Sequence, residues 1–164
     1  MIACVQRVER ASVRSLTPPD RWDTVGSIAA GLLVLVGVER NDDATRAEWM
    51  ASRLAKLRVF PDEGGRLNRS LLETGGAILL VSQFTLCGDT TRGHRPSFVG
   101  AAAPDLAEPI IEFLAKRLRH DHGVEVATGR FRTHMQVESV NDGPVTILLR
   151  TPDRSGVGGT PEAD

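Results

Sequence analysis

Ser82, Gln83, Thr85 and Cys87 stand almost side by side, and His94 follows in the next loop. Hydroxyls and thiols of this kind become nucleophiles when a base lies within hydrogen-bond reach and is itself oriented. No G-x-S-x-G elbow brackets Ser82, and no recognisable frame couples Cys87 to a histidine. Two readings of Ser82 and Thr85 are therefore open. One makes either an activated nucleophile; the other makes them hydrogen-bond partners of a ligand or of the backbone. A second stretch, Asn141-Asp142-Gly143-Pro144-Val145-Thr146, carries different chemistry. Gly permits positive φ or close backbone approach. Pro fixes φ, lacks an N–H and tolerates a cis bond. Between the alternating residues Met135 and Val137 and the apolar run from Val145 to Leu149, it reads as a hairpin turn joining a strand over 134–140 to one over 145–150.

The bulk of the chain excludes several classes. Its 164 residues suit one domain with a substantial core. Net charge is −1, with 20 basic and 21 acidic residues, so no global field draws the protein onto nucleic acid. Any RNA contact is expected to be local, at one end of a strand. The two cysteines and four histidines show no zinc-site spacing, and His120-x-His122 suits a polar helix end. No metal or cofactor is expected. The N-terminal residues lack a charged leader and a long apolar stretch, and no run approaches the ~18 residues that span a membrane. A cytoplasmic protein with reduced thiols is the expectation.

These candidates need elements to position them. Residues 2–14 alternate as a strand, with a bulge near Arg10. Residues 17–23 form a proline-rich loop with Trp22 exposed, and 25–29 a return strand. The run 32–38 is continuously apolar, as in a strand covered on both faces. Asp42 or Asp43 caps a helix over 44–57 whose apolar positions Ala47, Met50, Ala51, Leu54 and Leu57 share one face. Residues 57–60 suggest a short strand and 66–72 are ambiguous. The strand over 77–86 starts apolar and ends in Ser82, Gln83 and Thr85, which places polar groups at a sheet mouth. The loop 88–100 is long enough to be functional. A helix follows from about Pro104 to 119, with Pro109 forcing either a later start or a bend. A short strand at 124–126 comes next. Alternating strands and helices with hairpin-like pairs predict an α/β domain over 1–151: mixed and antiparallel sheets in a barrel-like roll, helices outside. Residues 152–164, rich in Gly, Pro and acid, are expected to be a disordered tail.

Ser82-Gln83-Phe84-Thr85-Leu86 together with Asn141-Asp142-Gly143-Pro144-Val145-Thr146 resembles the motif pair of the D-aminoacyl-tRNA deacylases, the D-tyrosyl-tRNA deacylase family. Val5-Gln6-Arg7-Val8, Gly31-Leu32-Leu33-Val34-Leu35, Arg95-Pro96-Ser97-Phe98 and Thr128-Gly129-Arg130-Phe131 extend the likeness over about 1–150. The chain departs from the pattern in extra residues around 16–24, in His94 where Met is common, and in the added tail. None of these touches the two motifs.

The resemblance implies hydrolysis of the ester that joins a D-amino acid, or glycine (including glycine mischarged on tRNA(Ala)), to the 3′-terminal adenosine of tRNA. It implies a homodimer with the active site at the interface, where Gly143 and Pro144, joined by a cis bond, enter the partner's site and reject L substrates. A cis bond turns both carbonyls the same way, toward the substrate's ammonium, and leaves no room for an L side chain. Thr85, Ser82, Gln83 and Phe84 are then the catalytic wall. Asn141, Thr146, Phe131, Met135 and Arg95 are substrate-binding candidates. The N–H groups near Phe84 and Thr85 suit an oxyanion. The ribose 2′-OH is a candidate activator of the water, with Thr85 positioning. Phe84 and Phe131 suit stacking on adenine, although Phe131 equally suits a core. Arg92, Arg95 and Arg130 are candidate phosphate contacts. The other readings from the same residues are an esterase with a covalent Ser82 or Thr85, and a non-catalytic dimeric module that binds RNA ends or D-amino acids.

Overall fold

The structure is a computed structural model that describes residues 1–152. Most of the expected tail, from 153 onward, lies outside the described residues. Everything is arranged around β1, Ile2–Thr17. Its first half pairs antiparallel with β3 (Gly31–Gly37), its second half with β2 (Arg21–Ile28), and its other edge with β8 (Met135–Arg150). Beyond β3 the sheet continues, now parallel, through β6 (Ala77–Ser82) and β7 (Val126–Thr128). β2 folds back over the far end. Gly26 approaches Thr128 so closely that a Cβ there would lie 2.8 Å from the Thr128 carbonyl oxygen. The result is the nearly closed, barrel-like mixed sheet that the strand pattern predicts.

The period of two explains the layers. In β3 and β6, Leu32, Val34, Val36, Ile78 and Leu80 face α1 (Ala44–Lys56) and α3 (Pro104–His122), which bring Met50, Leu54, Leu114 and Leu118. Leu33, Leu79 and Val81 point the other way, to an inner cluster with Val8, Val13 and Ile28. This is why both strands are apolar along their length, up to Ser82 at the end of β6: each face is covered. Asp43 caps α1 by accepting from the Arg46 N–H at 3.1 Å. Gly123, at φ 65°, ends α3. The Arg119 guanidinium then ties that helix to β7 through the Val126 carbonyl, 2.7 Å away.

Several expectations need correction. The stretch 141–146 is not a hairpin turn. β8 runs unbroken through it, because β1 is long enough to pair with both arms. Gln6 faces Thr146 and Val8 faces Asn141, so residues 142–145 bulge out opposite Arg7. The strand β6 stops at Ser82, and Phe84–Cys87 form a 3-10 turn. Gln83 still donates to the Val36 carbonyl at 2.7 Å, then its ψ of 81° redirects the chain. Trp22 is half-buried, edge-on to His134 with ring centroids 5.3 Å apart, since β2 already begins at Arg21. The strand expected at 57–60 shrinks to β4 (Phe60–Pro61), which pairs with β5 (Leu67–Arg69) ahead of the one-turn helix α2 (Leu71–Thr74). The strand expected at 124–126 starts at Val126. Pro109 sits inside α3 without ending it. The bond it forfeits is to the carbonyl of Asp105, an exposed first-turn residue that water reaches.

The tightest packing between the β3 and β6 ends involves Gly31, where a Cβ would stand 2.0 Å from the Ala77 oxygen and 2.8 Å from its nitrogen. Both atoms are backbone and cannot rotate away. Gly31→Ala should therefore destabilise the fold by about 3 kcal/mol. The urea midpoint should fall with the m-value unchanged, which would place the loss in the native state.

Candidate active site

The turn after β6 is built on close approach. A Cβ on Gly37, at the end of β3, would lie 3.0 Å from the Gln83 oxygen and 3.1 Å from the Cys87 sulfur. Glycine there lets the turn dock against the strand end. The first bond inside the turn is donated by Leu86 to the Gln83 carbonyl. The N–H groups of Phe84 and Thr85 precede it, as the first donors of any helical turn do. The Gln83 side-chain amide donates to Thr85 Oγ1, which fixes that hydroxyl at the surface.

A cavity of about 590 Å³ opens beside this turn, lined by Ser82, Gln83, Phe84, Phe98, Phe131 and Ile111 among others. Phe84, although 58% exposed, is held by Phe98 in an edge contact at 5.1 Å. The long loop 88–100 thus folds back over the turn. Gly88 permits this, since a Cβ there would be 3.0 Å from the Phe98 ring. The walls are apolar and aromatic, with polar groups at the Ser82–Gln83 end. Among the described residues no carboxylate and no imidazole lines the cavity. Among the described residues no group of histidine, cysteine, aspartate and glutamate gathers to hold a metal.

Cys87 is out of the running as a nucleophile. Burial pushes its thiol above the ordinary range, and the carboxylates of Glu39 and Asp42 push the same way. Its Sγ points to the Val38 carbonyl at 3.6 Å, the place of an S–H donor.

The bulge is the second half of the chemistry. Gly143–Pro144 is a cis peptide, and Gly143 has φ 135°, a conformation that excludes L side chains. Asn141 closes the bulge: its Oδ1 accepts from the Val145 N–H at 2.8 Å, and its Nδ2 donates to the Val145 carbonyl and to Thr146 Oγ1. Gln6 Nε2 also reaches Thr146 Oγ1. From beneath, Arg7 Nε donates to the Asp142 carbonyl and pairs with its carboxylate, both at 3.0 Å, while Nη1 donates to the Val59 carbonyl at 2.7 Å. Arg7 is 8% exposed, whereas Gly143 and Pro144 are exposed. A rigid base therefore presents bare backbone to the outside.

The structure joins some of the candidates and separates others. Ser82, Gln83, Phe84 and Phe131 line one cavity, with Thr85 exposed next to them. None of residues 141–146 lines it. Asn141 and Thr146 spend their polar atoms within the bulge. Met135 packs against the inner core cluster, its sulfur 2.8 Å from where a Gly129 Cβ would be. Arg92 and Arg95 lie in the exposed loop, and Arg130 donates to Thr17 Oγ1. Arg7 and Arg132, the latter lining the cavity, were not among the candidates. The signal for Arg7 was a charge on the parity of Ala3 and Val5, both apolar.

The site thus combines an apolar, aromatic cavity, a turn with backbone N–H groups at its edge, and a separate bulge that presents backbone to the outside. The family model described as D-Tyr-tRNA(Tyr) deacylase matches residues 4–150, and the chain belongs to that family. A protein named D-aminoacyl-tRNA deacylase from Symbiobacterium thermophilum is 54% identical over 90% of this chain and 93% of its own. One of the same name from an Azoarcus species is 53% identical over 94% and 99%. A solved structure titled c-Myc DNA Unwinding Element Binding Protein superposes with TM-score 0.85 at 36% identity, covering 93% of this chain and all (100%) of that one. A probable eukaryotic D-amino acid tRNA deacylase shares the fold, with TM-score 0.77 at 15% identity over 90% and 97% of the two chains.

Because its pKa is raised, Cys87 stays a thiol through neutral pH and would gain reactivity only as pH climbs through that raised value. Cys87→Ala should retain activity within about threefold. Its rate profile between pH 7 and 9 should superimpose on the wild type, whereas a thiolate nucleophile would give a rising limb that the variant lacks.

Proposed function

We propose that this protein hydrolyses the ester joining a D-amino acid, or glycine mischarged on tRNA(Ala), to the 3′-terminal adenosine of tRNA, releasing the free amino acid and the tRNA. As a member of its family it is a hydrolase of carboxylic ester bonds. The observation that carries the finer reading is the separation of the two motifs. The bulge is held rigidly by Asn141 and Arg7 yet turns Gly143 and Pro144 to the outside, away from the cavity of its own chain. Such a device suits the active site of a second subunit. β8 supports the same reading: among the described strands it pairs with β1 alone, leaving a 16-residue edge with Val137 and Leu148 exposed. A long free edge of this kind is a template for pairing. The protein acts as a cytoplasmic homodimer; no described helix is long and apolar enough to cross a membrane.

In this reading the adenine enters the aromatic cavity against Phe84 and Phe131, since bases stack on such rings. The ester then lies beside Thr85. The N–H groups of Phe84 and Thr85 receive the oxyanion as water attacks the carbonyl carbon. The cavity offers no carboxylate or imidazole, so the neighbouring ribose 2′-OH takes the role of orienting the water and moving its proton. Thr85, anchored by Gln83, positions. The partner's Gly143 and Pro144 carbonyls accept from the substrate's ammonium and occupy the side on which an L side chain would project. Glycine has no side chain to clash and is not rejected.

Release of amino acid from D-Tyr-tRNA and L-Tyr-tRNA tests the reading directly. D-Tyr should be released at least about 100-fold faster, a difference of about 2.7 kcal/mol. Equal rates would end the selectivity argument, and no release of either would leave a binding module. With D-Tyr-tRNA, Thr85→Ala should keep kcat within about tenfold. Replacing the terminal 2′-OH by hydrogen should cost about 10²-fold or more. A dead Thr85→Ala enzyme that still dimerises and binds tRNA would reverse the assignment and make the Thr85 hydroxyl the catalytic group.

A further inference from the structure

The turn between β7 and β8 contains a residue with no apparent reason to be what it is. Arg132 has φ 57°, the only non-glycine among the described residues with positive φ. A side chain in the left-handed region persists only where its surroundings fix the backbone. They do so here. Thr133 Oγ1 donates to the Arg130 carbonyl at 2.9 Å and accepts from the buried Ser15 hydroxyl at 2.8 Å. The Leu16 N–H donates to the His134 carbonyl at 2.9 Å. The turn is thereby clamped to β1 just after Arg132, and just before it Arg130 Nη1 donates to Thr17 Oγ1 of the same strand.

The clamp brings Arg132 to the lining of the aromatic cavity, between Phe131 and Thr133, as the only charged residue there among the described residues. Of the arginines near this turn, Arg119 is engaged with the Val126 carbonyl and Arg130 with Thr17, while Arg92 and Arg95 sit in the exposed loop 88–100 and do not line the cavity. Among the described residues the Arg132 guanidinium has neither an ion pair nor a hydrogen bond. A cation kept unpaired at the rim of an otherwise uncharged cavity, at a backbone cost, is suited to an anion carried by the ligand.

We propose that Arg132 is the anion-binding residue of this site: its guanidinium receives the phosphodiester that joins the terminal adenosine to the preceding nucleotide. The inference rests on the deacylase reading. It assigns the recognition of RNA, as opposed to a bare aminoacyl nucleoside, to a single contact at the cavity rim. That suits a chain whose net charge of −1 gives no general attraction to nucleic acid. The planar fork of five donors matches a phosphate's paired oxygens better than an ammonium would.

The test compares two substrates on the full-length protein: D-Tyr-tRNA, and D-Tyr esterified to the 3′-hydroxyl of adenosine, which has no phosphate. Arg132→Gln removes the charge and keeps most of the side chain; Arg132→Gly also relieves the backbone. Both variants should lose about tenfold in kcat/KM on the tRNA, mainly through KM, and considerably less on the aminoacyl-adenosine. The log–log dependence of kcat/KM on salt should become shallower by about 0.7, the share of one single-stranded phosphate. Arg132→Lys should recover part of the loss. Equal losses on both substrates, or none on either, would overturn the inference while leaving the deacylase reading intact. A wild-type protein that hydrolyses neither ester would overturn both.

Discussion

Arg7 is the point on which the bulge at 142–145, and its seat on the rest of the fold, depends. It projects from the central strand into a place where water cannot follow, and a buried guanidinium is costly unless its donors are met. They are met by three groups from two separate parts of the chain: the carbonyl and carboxylate of Asp142, and the carbonyl of Val59. The carboxylate itself adds little, because the Asp142 side chain is 57% exposed and its pairing is screened. The backbone carbonyls do the holding. One side chain thus fixes the base of the bulge, joins β8 to β1 at the place where their register slips, and anchors the segment leaving α1.

From that fixed base the exposed backbone of Gly143 and Pro144 acquires a definite direction. In the proposed mechanism that direction matters, since misplacing a positioning element by about an ångström can cost about 10²-fold in rate. The opposite half follows the same economy. The turn at Phe84–Cys87 is docked on β3 by the absence of a side chain at Gly37, and its donors are backbone amides. In the proposed mechanism both halves of the chemistry are made of main chain, and side chains such as Asn141, Arg7 and Gln83 hold it still. Backbone groups cannot be removed by substitution, which leaves the supporting side chains as the places where function is lost or tuned.

Much of this was legible in the residues. The unbroken apolar runs at 32–38 and 77–81 announced strands covered on both faces, and the spacing of Ala47, Met50 and Leu54 announced the helix that covers one of them. The pairing of two spaced motifs pointed to the family. What the residues misreported was local. An Asn-Asp-Gly-Pro sequence has the same turn chemistry whether the strands on either side reverse or continue, and only the length of β1 opposite decides between the two. The end of β6 misled for a related reason: Ser82-Gln83-Phe84-Thr85 is compatible with extended backbone, and the turn is imposed by the close approach of Gly37.

The sequence by itself determined the layers, the apolar faces and the kinship. Those properties follow from periodicity and residue type, which act over a few neighbouring positions. Tertiary structure alone decided that a turn is a bulge, that Arg7 lies beneath it, that Phe84, Phe98 and Phe131 share one cavity, and that Arg132 stands at its rim in a left-handed conformation. Each of these depends on which distant segments meet. Register between strands more than a hundred residues apart sets those meetings, and no local propensity encodes it.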